Sequence, residues 1–136
     1  MSSPIFRIYS RAIISNDENK ILMIQKKPDQ KIAGGLWILP GGTLEFGESP
    51  ETGLIRELSE EICFTPTELQ LIGVDTRIIG NTHWLGIFFK AKGDIKSIKN
   101  NEPEKHEAIQ WCDRDFLKKH LSINELSFLI PEAGSS

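Results

Sequence analysis

The chemistry-bearing residues of this 136-residue chain crowd into one stretch, Gly41 to Phe64, reading GGTLEFGESPETGLIRELSEEICF. Glu57, Glu60 and Glu61 stand at i, i+3 and i+4 of one another. On a helix they share a side, turned away from the apolar set Leu54, Ile55, Leu58 and Ile62. Like charges at that spacing destabilise a helix by roughly 0.2–0.5 kcal/mol per pair, and a face kept only for solubility would interleave lysine. This stretch has no lysine and a single Arg56, while Glu48 adds a further negative charge just upstream. Such a face is either simply solvated or built for a cation. Oxygen donors without His or Cys point to Mg²⁺ or Mn²⁺ rather than zinc. The glycines Gly41, Gly42 and Gly47 favour the second reading, because they let backbone groups approach an ion or a phosphate closely.

The same stretch almost matches a phosphate-cradling loop. Gly42 to Ser49 satisfies GxxxxGK[ST] except that Glu48 occupies the lysine position. A carboxylate there repels phosphate unless a metal lies between them, so a nucleotide-cradling loop of that type is rejected.

The elements that must position these residues follow from local patterning. Ser49 is a helix N-cap and Pro50 a first-turn residue, which predicts a helix over 50–63 that Pro66 prevents from continuing. Strands are predicted over 5–15 and 20–27, with NDEN between them as the turn, and over 36–39, stopped by Pro40. Further strands are predicted over 68–79 and 83–92, joined at Gly80-Asn81, and over 107–112 after a charged loop at 100–105. Short helices are expected at 115–120 and 123–129, then a frayed tail at 131–136. Strands before, beside and after one strong helix indicate an α/β layer arrangement in a single domain spanning 1–136.

With those positions in register, the segment resembles the box of the Nudix hydrolases. That pattern is Gly, five residues, Glu, seven residues, Arg-Glu, an aliphatic, one residue, Glu-Glu, one residue, Gly, an aliphatic. Gly42, Glu48, Arg56, Glu57, Leu58, Glu60 and Glu61 all match, with Phe64 at the last apolar position. Cys63 replaces the final glycine, which places the helix ending, and not the carboxylates, outside the pattern. The resemblance is weaker outside 42–64, in the preceding strands and in EPEKHEAIQW at 102–111.

The resemblance implies a Nudix-type α/β/α sandwich with a mixed sheet, and hydrolysis of a nucleoside diphosphate linked to another group. It implies metal ligands at Glu57, Glu60 and Glu61, with the carbonyl of Gly41 as a further candidate, for Mg²⁺ or alternatively Mn²⁺. Arg56 would orient or neutralise the glutamates, and Glu48 would hydrogen-bond behind them or reach the metal through water. The general base is a box glutamate or a loop acid, for which Glu104 and Glu107 are the candidates. Lys26 or Lys27 is the candidate phosphate contact and Gly42 a backbone one. Trp37, Trp84 and Phe89 are the candidate base-stacking residues, set against the commoner fate of strand aromatics as core. Gly53 inside the helix costs ~1 kcal/mol relative to Ala, which close packing against the glycine loop would explain. His83, His106 and His120 show no motif spacing and read as structural or surface residues.

Global composition limits the partners. Nineteen acidic against sixteen basic side chains give a net charge of -3, which argues against nucleic-acid polymers and anionic membranes but not against small phosphorylated ligands. No apolar run nears the ~20 residues of a membrane span, MSSPIFRIYSR does not read as a signal peptide, and Cys63 and Cys112 make neither metal spacing nor disulfide framework. The expectation is a soluble cytoplasmic protein, with a homodimer compatible and no oligomeric state specified. Three activities follow. LPGGTLEFGES and EPEKHEAIQW look most like the small nucleoside triphosphate diphosphatases of the family. A nucleotide-sugar or ADP-ribose pyrophosphatase is the alternative, and a non-catalytic nucleotide-binding module fits least, since such modules lose box carboxylates.

Overall fold

The computed structural model describes residues 3–129, so the tail expected at 131–136 lies outside the described residues. The chain runs β1 (Ile5–Ile13), β2 (Ile21–Lys26), β3 (Trp37–Ile38), β4 (Gly41–Thr43), α1 (Pro50–Ile62), β5 (Glu68–Ile79), β6 (Thr82–Lys92), β7 (His106–Cys112), α2 (Arg114–His120) and α3 (Ile123–Ser127). A four-stranded mixed sheet has the order β4-β1-β6-β5, with β1 and β6 parallel. A three-stranded antiparallel sheet has the order β3-β2-β7.

Alternation along β1 and β2 explains the layers, because successive side chains point to opposite faces. Ala12, Ile14, Leu22 and Ile24 join Leu54, Leu58, Ile62 and Phe64 in a core beneath α1. Ile13, Ile21 and Met23 join Leu39, Phe88, Leu117 and Leu121 in a second core beneath α2 and α3. Helices thus cover both faces, in the α/β/α sandwich expected. Phe88 and Phe89 show the same division, one in each core.

The strand at Gly41–Thr43 escapes sequence reading, since two glycines and a threonine carry no apolar alternation. It exists because it pairs with β1, Arg11 opposite Gly41 and Tyr9 opposite Thr43. Gly41 has φ 140°, and a Cβ there would meet the carbonyl oxygen of Ser10. The packing expected of Gly53 is present: a Cβ on it would meet Leu44 and Glu48 of the loop before α1.

Helix α1 begins as expected, with the Ser49 side chain accepting from Thr52 N–H at 3.1 Å and Pro50 in the first turn. It ends one residue early. Cys63 itself takes the left-handed conformation, φ 56° and ψ 34°, and the N–H of Phe64 reaches back to the carbonyl of Leu58 at 3.2 Å. The family's glycine is therefore replaced in sequence while its backbone geometry is kept, against a steric penalty on the order of 1 kcal/mol. Cys63→Gly is expected to raise stability by about 1 kcal/mol, read as a higher urea midpoint at unchanged slope. An unchanged or lower midpoint would refute the strain at this cap.

Candidate active site

The acidic face of α1 meets β4 edge-on. Glu61, 5% exposed, accepts a hydrogen bond from Gly41 N–H at 2.9 Å. Glu57 lies against Gly42, where a Cβ would come within 2.5 Å of its carboxyl carbon. The two glycines before α1 therefore let the backbone close onto the two carboxylates.

Arg56 organises the other side. Its Nε and Nη2 donate to the two carboxylate oxygens of Glu48 at 2.7 and 3.0 Å, and its Nη1 donates to Glu57 at 3.1 Å and Glu60 at 3.4 Å. The fork holds the Glu48 carboxyl down at about 2, aided by the Glu45 N–H that Glu48 also accepts. Glu48 is thus bound to Arg56 rather than open to an ion.

The ligand-side carboxylates behave oppositely. Burial, and then the neighbouring Glu57 charge, push Glu61 up to about 8 despite Arg11 and the Gly41 N–H. Burial also raises Glu57, against Arg56. Two desolvated carboxylates side by side, with a backbone carbonyl at Gly41, are the hard-oxygen donor set that suits Mg²⁺ or Mn²⁺. The residues present fit such an ion.

Three residues beside this pair were not singled out from the sequence. Arg11 lines the cleft described below, donates to Leu39 O at 3.3 Å and rests over the Tyr9 ring at 5.1 Å. His106, read as structural or surface, is 3% exposed with Nε2 3.6 Å from Glu61 Oε2. Burial lowers its pKa below the ordinary histidine value, so this contact is not an ion pair at neutral pH. Glu102 completes a group in which one ligand atom each of Glu61, Glu102 and His106 lies within 4.8 Å of the others. Of the expected loop acids, Glu104 is exposed, and Glu107 faces Lys27 at 3.9 Å. A register shift between Gln25 and Lys26 decides this, since it sets His106 opposite Lys26. No local pattern in EPEKHEAIQW distinguishes these acids.

A cleft of about 400 Å³ is lined in part by Arg11, whose charge acts on Glu61 and Glu57, and by Thr43, whose carbonyl accepts from Arg56 at 3.4 Å. Tyr9, Trp37, Trp84, Arg77, Lys119 and Glu125 also line it. Arg7 sits over the Trp84 ring at 5.0 Å, and Trp37 meets Phe116 edge-on at 5.1 Å. Trp37 and Trp84 are therefore placed where a ring can reach them. Phe89 is not: it is 4% exposed and packed beneath α1, which corrects its candidacy as a stacking residue. Lys26 is half-buried, and its pKa is lowered by burial and then by Arg11.

The NUDIX domain family model matches residues 6–128. The chain belongs to the NUDIX domain family, as a MutT-like Nudix hydrolase. It is 41% identical over 59 residues to an 8-oxo-dGTP diphosphatase of Escherichia coli, a match covering 43% of this chain and 45% of that protein. It is 32% identical over 83 residues to the 8-oxo-dGTP diphosphatase of Proteus vulgaris, covering 61% of this chain and 74% of that one. The crystal structure of a MutT NUDIX hydrolase from Burkholderia pseudomallei superposes with a TM-score of 0.78 at 28% identity, over 91% of this chain and 95% of that one. Among the described residues no helix is long and apolar enough to cross a membrane.

The raised Glu61 pKa carries a pH consequence for this hydrolase without metal. A carboxyl that stays protonated in the folded state up to about 8 lends stability that is full below the ordinary carboxylate value of 4.5 and is lost progressively as pH rises from there to about 8. In chelator, stability should fall on the order of 1 kcal/mol between about pH 7 and pH 9. Glu61→Gln should flatten that slope in denaturant melts across the interval, and equal slopes in both proteins would remove the assignment.

Proposed function

We propose that this Nudix hydrolase cleaves a nucleoside triphosphate to a nucleoside monophosphate and pyrophosphate. One observation carries the reading: Arg11, whose charge acts on both Glu57 and Glu61, also lines a cleft whose aromatic and cationic lining suits a base and its phosphates. The diphosphatase names of the E. coli and Proteus relatives support the same class.

Glu57, Glu60, Glu61 and the Gly41 carbonyl are assigned to hold Mg²⁺, or Mn²⁺ in its place. When bound, such an ion neutralises phosphate charge, lowers the pKa of water and steadies the leaving group. The protein's own residues do the rest. Arg56 keeps Glu57 and Glu60 pointed one way while its strongest bonds anchor it to Glu48. Lys26, whose charge is felt beside Arg11, Glu61 and Glu57, is assigned to the phosphates, with the Gly42 backbone alongside. Trp84 and Trp37, which both line the cleft, are assigned to the base. The oxygen of the attacking water bonds to phosphorus as the bridging P–O bond breaks, and the water proton passes to a carboxylate. Glu60, Glu104 and Glu107 are the exposed acids proposed for that task.

Glu57→Gln and Glu61→Gln are each expected to lower Mg²⁺-dependent turnover by at least about 100-fold with the fold kept by circular dichroism. Activity near wild type in both would sink the ligand assignment. Trp84→Ala is expected to raise KM with little change in kcat, since stacking a base on an aromatic ring contributes about 1–3 kcal/mol. Products from NTPs, dNTPs, nucleotide sugars and ADP-ribose decide the substrate. Pyrophosphate release from a triphosphate supports the proposal, whereas turnover confined to sugar or ribose conjugates replaces it.

A further inference from the structure

Arg11 carries more donors than the protein engages. Among the described residues its guanidinium makes a single hydrogen bond, from Nη1 to Leu39 O at 3.3 Å, and no carboxylate bonds to it. A guanidinium has five N–H donors in a rigid fork, which matches a phosphate through two parallel bonds. The protein sets the plane of that fork. Cζ of Arg11 rests over the Tyr9 ring at 5.1 Å, two residues back on the same face of β1. Tyr9 is itself seated, edge-on to Trp84 at 6.0 Å and to Phe88 at 6.2 Å. Its ring lies across Gly86 of β6, where a Cβ would collide with the ring and its hydroxyl.

Arg11 also belongs to two places at once. It lines the cleft together with Tyr9, Trp37 and Trp84. In β1 it stands opposite Gly41, whose N–H bonds to Glu61, and its charge acts on both Glu61 and Glu57. The other arginine of the cleft, Arg77, already donates to Asp75 at 3.3 Å. Lys119 offers the cleft a point charge rather than a fork.

A nucleotide with its base on the cleft aromatics and its cleaved bond at Glu57 and Glu61 has its sugar-linked phosphate between the two. We propose that Arg11 grips that phosphate through the N–H groups left without a protein partner, and so makes the cleft prefer a nucleotide to its nucleoside. Tyr9 is then a positioning residue, fixing the guanidinium plane before the ligand arrives. The inference rests on the triphosphate-cleaving reading for the identity of the ligand. It treats the two halves of that substrate differently. The sugar-linked phosphate leaves with the nucleoside, so the monophosphate product keeps the contact with Arg11 and pyrophosphate never makes it.

The test is calorimetric titration, in the presence of Mg²⁺, of the wild type, Arg11→Gln and Arg11→Lys. The ligands are the four common deoxynucleoside monophosphates, the matching deoxynucleosides and pyrophosphate. Arg11→Gln should weaken monophosphate binding about 10- to 100-fold, while deoxynucleoside and pyrophosphate affinities stay within about twofold. Arg11→Lys keeps the charge but loses the fork, and its monophosphate affinity should fall between the two. Unchanged monophosphate affinity in Arg11→Gln would overturn the proposal. An equal loss for the deoxynucleoside would do so too, because Arg11 would then merely support the base site, and so would a loss confined to pyrophosphate. If Arg11→Gln does not fold, Arg11→Lys decides, since full affinity without the fork is incompatible with a two-bond grip. Arg11-dependent monophosphate binding in a protein that cleaves no triphosphate would keep this contact and remove the triphosphate reading. Triphosphate cleavage with Arg11-independent binding would do the reverse.

Discussion

The junction of α1 with β4, where Glu61 takes the Gly41 N–H and Glu57 presses on Gly42, sets the geometry of everything around it. Two carboxylates are desolvated there by a backbone that only glycine lets come so close. The same three-residue strand is hydrogen-bonded to β1, so the acidic face of the helix is referenced to the four-stranded sheet. The cleft begins where that sheet continues, at Arg11 and Thr43. A shift of the helix by a fraction of a turn would lose the hydrogen bond and the desolvation together.

Arg56 and Arg11 answer two different electrostatic needs of this junction. Arg56 is spent largely on Glu48, in a two-pronged pair that keeps the loop before α1 fastened to the helix. Arg11 acts from the opposite side, where its charge partly relieves Glu61 without bonding to it. Neither cation neutralises the Glu57–Glu61 pair outright, which leaves a site of concentrated negative charge in a chain whose net charge is only -3. The mild overall acidity is therefore a poor guide to ligands. Locally it describes a place for a cation, and through the cation a place for phosphates.

Expectation and structure agree most where the signal is local. The start of α1 and its buried Leu54, Leu58 and Ile62 depend on residues within a turn or two of each other, whereas Ile55, read into the same apolar face, is 40% exposed because it sits at the edge of that stripe. They part where strands from distant segments meet. Phe89 alternates like any strand aromatic, and only the seating of α1 over β6 makes it core. Gly41–Thr43 becomes a strand because β1 lies beside it. Cys63 shows a third case, in which the residue departs from the family pattern while the cap bonds from Cys63 N–H to Ser59 O and from the buried Phe64 N–H to Leu58 O keep the left-handed ending.

By itself the sequence determined the family and the helix that presents Glu57, Glu60 and Glu61, because helical periodicity converts spacing directly into a shared face. It also located the glycines that admit those carboxylates and the arginine that can brace them. Only the tertiary structure decided which loop acid approaches Glu61, why a histidine is buried beside it, and which aromatics line the cleft. Those facts depend on a register shift in β7 and on loop-to-helix hydrogen bonds between residues some forty positions apart. Such contacts are fixed by global packing, and no periodicity within the stretch 99–106 encodes them.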